Sequence, residues 1–140
     1  MKTEPYLFFE GCCEEAIAFY RTALDAEVTA LFRYKDHPEP GMVHPSCGPE
    51  KIMHANLRIG ATMVMVSDGL CLGNTAFRGF AISLSVDNEA DAERYFAALS
   101  EGGNIQMPLA PTFYSPRFGM VHDRFGVLWM ILCMQEPVTV

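Results

Sequence analysis

Residues 121–131 read Val-His-Asp-Arg-Phe-Gly-Val-Leu-Trp-Met-Ile. Apolar residues on both sides of Arg124-Phe125-Gly126 predict a strand, a tight turn and a second strand. Residues 58–65, Arg-Ile-Gly-Ala-Thr-Met-Val-Met, repeat the pattern of residues 124–131 with arginine and glycine in register, which lays Val64 over Met130. Farther upstream, residues 16–24 (AIAFYRTAL) lie over residues 92–100 (AERYFAALS), placing Ala16, Phe19 and Tyr20 over Ala92, Tyr95 and Phe96. A helix followed by a hairpin is therefore written twice.

The segments between these anchors fit that duplication. Residues 6–9, YLFF, form a short aromatic strand. Residues 11–24 predict a helix with Glu14 and Glu15 in its first turn, where the helix dipole favours anions. Ile17, Tyr20 and Leu24 fall on one face of it at helical spacing. Residues 26–34 alternate like a strand, and residues 52–69 predict a hairpin around Gly60. After a linker at 69–79 the order recurs: strand 80–86, helix 88–103 stopping at Gly102-Gly103, strand 105–109 and the closing hairpin. One βαβββ unit cannot cover the apolar face of its own sheet, so two must pack together.

Composition excludes several classes. The chain has 140 residues, 50% of them hydrophobic and 19% charged, which predicts a folded domain. A net charge of -7 and a pI near 5.0 argue against a nucleic-acid partner. No lysine or arginine block points to an anionic membrane. The N-terminal residues lack a secretory pattern, and no apolar run approaches the roughly 20 residues of a membrane span, so a cytoplasmic protein is expected. Cys12, Cys13, Cys47, Cys71 and Cys133 show no CxxC spacing and suit reduced thiols. Residues 35–51, with four prolines and two glycines, predict a long loop. Its His37, His44 and Cys47 match no common zinc spacing and read as solvated.

Four stretches, PYLFFEG (5–11), EEAIAFY (14–20), KIMHANLRIGATMVMVSDG (51–69) and FGMVHDRFGVLWMI (118–131), together resemble the PhnB-like branch of the vicinal oxygen chelate superfamily. That superfamily includes glyoxalase I, the bleomycin-resistance proteins and the extradiol dioxygenases. The resemblance implies an α+β fold of two βαβββ modules, about 1–68 and about 79–135. Their strands would form an eight-stranded curled mixed sheet around a cavity, with helices on the outer face. It also implies a homodimer. In the family's enzymes a divalent metal is held from the first and last strands of each module and acts as a Lewis acid.

Carried over residue by residue, those ligand positions fall near Pro5, at Val64 (or Met65, if the register slips by one), at Phe80 and at Met130. None offers a carboxylate or an imidazole, and methionine sulfur is a soft ligand. No metal and no other cofactor is expected there. Where PhnB-like sequences often carry HAEL, this chain has His54-Ala55-Asn56-Leu57. His54 is the candidate catalytic acid or base, although Asn56 cannot raise its basicity as a carboxylate would. The expected ligand pocket comprises His54, Asn56, Arg58, Val64, Met65, Phe80, Tyr114 and Met130. The reading is a small-molecule binder for an apolar or aromatic ligand. The alternative is a lyase- or dioxygenase-type enzyme using His54 or an atypically placed divalent metal.

Overall fold

The computed structural model describes residues 1–39 and 47–134; His44 lies outside the described residues. The chain forms two compact units, Met1–Thr75 and Ala76–Val140. The first contains β1 (Tyr6–Phe8), α1 (Cys13–Leu24), β2 (Glu27–Arg33), a single 3-10 turn at Tyr34–Asp36, β3 (Ile52–Ile59) and β4 (Thr62–Ser67). The second contains β5 (Ile82–Val86), α2 (Glu89–Ser100), β6 (Asn104–Ala110), β7 (Phe118–His122) and β8 (Leu128–Cys133). Each unit is a βαβββ module with its own four-stranded sheet, ordered β1-β4-β3-β2 and β5-β8-β7-β6. The first strand of each runs parallel to the last, and the other pairs are antiparallel. The expected eight strands are all present, hydrogen-bonded as two sheets of four rather than one of eight.

In each unit the helix covers the apolar face of the sheet. Ala16, Ile17, Tyr20 and Leu24 of α1 are buried, as are Leu7, Ala55, Leu57, Val64 and Val66 of the first sheet. In the second unit Ala92, Phe96 and Leu99 of α2 are buried with Val121, Trp129 and Ile131. A Cβ at Gly119 would lie 2.7 Å from the Phe96 ring, so α2 sits close because that position on β7 has no side chain.

The two helices start differently. Cys12, the residue before α1, gives no side-chain cap. The cap comes from Asp68, just past β4: its Oδ1 accepts the Cys13 N–H at 2.9 Å and its Oδ2 accepts the Ile52 N–H at 2.7 Å. One buried carboxylate thus ties the start of α1 to the start of β3. Helix α2 is capped locally, the Asn88 side chain accepting the Asp91 N–H at 2.8 Å. A second buried carboxylate, Asp123, organises the β7–β8 turn by accepting the Phe125 and Val127 N–H groups and the Trp129 indole N–H.

Two expectations are corrected. Cys47 and Cys71 are not free thiols but a disulfide with Cα atoms 5.5 Å apart. They lie 24 residues apart in sequence and the β3–β4 hairpin closes the gap between them, so no short spacing marks them. The overlay of Arg58 on Arg124 also fails. Ile59 pairs with Thr62 across residues 60–61, whereas His122 pairs with Leu128 across residues 123–127. Turns of two and five residues differ by an odd number, so the gapless overlay puts the following strand on the wrong face. Arg58 lies within β3 and pairs with Glu27, whereas Arg124 lies in the turn and donates to the Glu101 carbonyl.

Candidate functional site

Strand alternation turns a second set of side chains away from α1. On the first sheet this open face carries Tyr6, Phe8, Phe32, His54, Asn56, Met63, Met65 and Ser67. Backbone register sets Tyr6 beside Met65, Met65 beside Asn56, and His54 beside Phe32. Phe8 and Phe32 are about half exposed, a large apolar exposure for a sheet face.

A hydrogen-bonded chain crosses the face. The Tyr6 hydroxyl lies 2.8 Å from His54 Nδ1, and His54 Nε2 lies 2.8 Å from Asn56 Oδ1. An amide oxygen can only accept, so Nε2 carries the proton. In the neutral imidazole Nδ1 is then the acceptor, and Tyr6 donates to it. The Tyr6 ring stacks on Phe8 with centroids 4.8 Å apart and tilts against His54 at 5.4 Å. Burial pushes the phenols of both Tyr6 and Tyr34 above their ordinary value, and an interaction with the buried Ser67 partly offsets it. Both phenols therefore stay protonated as hydrogen-bond donors at neutral pH.

In the first unit the structure brings His54, Asn56 and Met65 together on the open face and turns Val64 away from them. Val64 is turned toward α1 and buried; Met65 takes the open-face position, as the one-residue alternative allowed. Arg58 shares the face by alternation, but its guanidinium is paired with Glu27 across β2 and β3. Pro5 uses its carbonyl to accept the Met65 N–H, so the first side chain of β1 on the face is Tyr6. Tyr6 was missed because counting back from the Phe19-Tyr20 pair to Pro5 overshot it by one residue. The exposed–buried–exposed alternation of Tyr6–Phe8 is its signal, but three residues are too few to establish a period from sequence.

In the second unit the matching row is Ser83, Met130, Met120 and Met107. Met130 is on the open face. Phe80 lies ahead of β5, edge-on to Phe77 at 6.3 Å, and Ser83 is the residue opposite Met130. Tyr114 sits in the 111–117 loop between Phe113 and Phe118, with centroids 4.9 and 5.6 Å away.

These donors do not fit the divalent metal of the family's enzymes. Each row offers neutral hydroxyl, amide or thioether groups, and the imidazole has both nitrogens engaged. Among the described residues no three His, Cys, Asp or Glu side chains group as a metal site would require.

The model of the Glyoxalase/Bleomycin resistance protein/Dioxygenase superfamily matches residues 5–131. Protein YjdN of Escherichia coli is 34% identical over 149 aligned positions, covering 99% of both chains. The crystal structure of protein PA1353 from Pseudomonas aeruginosa is 43% identical, with a TM-score of 0.82 over 97% of this chain and 99% of that one. The PhnB protein from Bacillus cereus is 28% identical, with a TM-score of 0.78 over 95% of this chain and 99% of its own.

Proposed function

The chain belongs to the glyoxalase/bleomycin resistance protein/dioxygenase superfamily, and from that premise we propose that it binds a small, uncharged, partly aromatic molecule without the family's metal. The binding surface is the open face of the first sheet, and the observation that carries the reading is the Tyr6–His54–Asn56 chain set among Phe8, Phe32 and Met65. Aromatic rings there supply stacking worth about 0.5–1.5 kcal/mol per pair beyond area. The thioether of Met65 adapts to irregular ligand outlines. Arg58 is neutralised by Glu27, so the face favours a neutral ligand over an anion.

Titration calorimetry with a panel of neutral bicyclic aromatics tests this. Heat of binding in the wild type, weakened about tenfold or more in His54→Ala, supports it, since losing the imidazole strands two partners. No binding across the panel, or affinity unchanged in His54→Ala, overturns it.

A second reading is catalytic, with His54 as acid or base; the Tyr6 hydroxyl on Nδ1 favours it, because that contact fixes the tautomer. Its cost is visible in the same geometry: a substrate must displace Tyr6 or Asn56 to reach either nitrogen. Turnover in the wild type that vanishes in His54→Gln decides for catalysis. Superfamily relatives commonly pair, and a second copy of this chain is the proposed partner, checked by sedimentation equilibrium. No helix among the described residues is long and apolar enough to cross a membrane.

A further inference from the structure

Cys47 lies five residues ahead of β3, and Cys71 lies in the segment that leaves β4. Their disulfide borders the Tyr6–His54 face. The Gly69 carbonyl accepts the Tyr34 hydroxyl, and the Gly69 N–H donates to Ser67 Oγ. On the other side Glu10 accepts the Leu72 N–H through its carboxylate and the Gly73 N–H through its carbonyl. A Cβ at Gly69 would come within 2.8 Å of the Glu10 carboxylate and 3.2 Å of the Phe8 ring. Segment 69–73 therefore rests directly against the aromatic face. Cys71 itself adopts φ 56, a region that non-glycine residues occupy only when their surroundings hold them there.

The other cysteines have a different chemistry. Cys13 is fully buried, and burial pushes its thiol far up. Burial also raises Cys12, with the Glu15 carboxylate adding to the effect. Both remain protonated and poorly nucleophilic. Cys133 is buried in the second unit. Cys71 is partly exposed and Cys47 buried behind it, an arrangement of attacking and resolving thiols.

We propose that Cys47 and Cys71 are a reversible redox clasp, which fixes segment 69–73 against the rim of the aromatic face when oxidised and releases it when reduced. A small-molecule disulfide is the oxidant. The Cys71 thiol loses its proton and its sulfur attacks that disulfide, forming a mixed disulfide and expelling one small thiolate. Cys47, deprotonated in turn, attacks Cys71 Sγ and expels the second. Two protein thiols are oxidised, one small disulfide becomes two thiols, and the two protons are taken up by the two thiolates released. The clasp is independent of whether the face binds a ligand.

Glutathione provides the test, applied to the full chain as folded. With the oxidised form, peptide mapping without reductant is expected to show residues 47 and 71 in one cross-linked pair, which the reduced form reopens without denaturant. Amide exchange over 69–73 is expected to be at least about tenfold faster in the reduced protein. Cys47→Ser is expected to accumulate glutathione on Cys71, and Cys71→Ser to accumulate little on Cys47. Failure to cross-link, a bond that resists reductant in the folded protein, or equal exchange in both forms overturns the proposal. The wild-type comparison decides even if either variant folds poorly.

Discussion

The two modules share one topology and differ in how it is fastened and in what their open faces present. In the first, helix α1 is capped at long range by Asp68, and the open face is aromatic and hydroxylic. In the second, α2 is capped by its neighbour Asn88, and the matching row is serine and methionine. The connectivity of a βαβββ unit therefore dictates neither its fasteners nor the chemistry of its open face. Such division is expected where function resides in a site rather than in a fold.

The largest test of the contrast removes the caps. Asp68→Ala strands two buried N–H groups and is expected to cost about 3 kcal/mol or more, while Asn88→Ala costs about 1 kcal/mol. Urea denaturation of both variants measures the difference, and equal losses break the comparison. Next in size is Gly119→Ala, which drives a methyl group against Phe96 and the Leu109 backbone. Overpacking of this kind is expected to cost about 1–3 kcal/mol, read from the same curves.

On the open faces, Tyr6→Phe removes the donor to His54 and is expected to weaken ligand binding about fivefold, the equivalent of about 1 kcal/mol. Met130→Leu, on the other sheet, is expected to change it less than twofold, because a thioether-to-alkyl swap conserves volume. Calorimetry on the pair sharpens which face binds; the reverse ranking moves the site to the second sheet.

The smallest effect is a pH slope. Burial raises the phenols of Tyr6 and Tyr34 above 10.0, so the folded state favours their neutral forms. That stability is complete below 10.0 and is lost as pH rises through the higher folded values. Melting temperature is expected to fall more steeply above pH 10.0 in the wild type than in Tyr6→Phe.

Both helices and the longer strands were legible because amphipathic periods are local, whereas the three-residue β1 was read from its aromatic run. Gly102 and the acidic first turns marked where helices stop and start. What escaped is non-local. The face of Val64 depends on the length of the neighbouring turn, the partner of Cys71 on a hairpin folding between the two cysteines, and the capping by Asp68 on a residue far along the chain. On the open face of the first sheet, strand alternation placed His54 beside Asn56, while Met65 was reached only as the one-residue alternative to Val64. Tyr6 and Ser83 became visible only when each first strand was paired with its last.

That pairing has a consequence for synthesis on the ribosome. Tyr6–Phe8 can dock only beside Met65–Ser67, and Ile82–Val86 only beside Trp129–Cys133. Each module's leading strand must therefore leave the exit tunnel and wait, with its backbone unpaired, until its trailing strand has been translated. The second module completes its sheet only once Leu128–Cys133 has been made, so a nascent polypeptide stalled before Leu128 exposes the parallel edge of β5 to other chains.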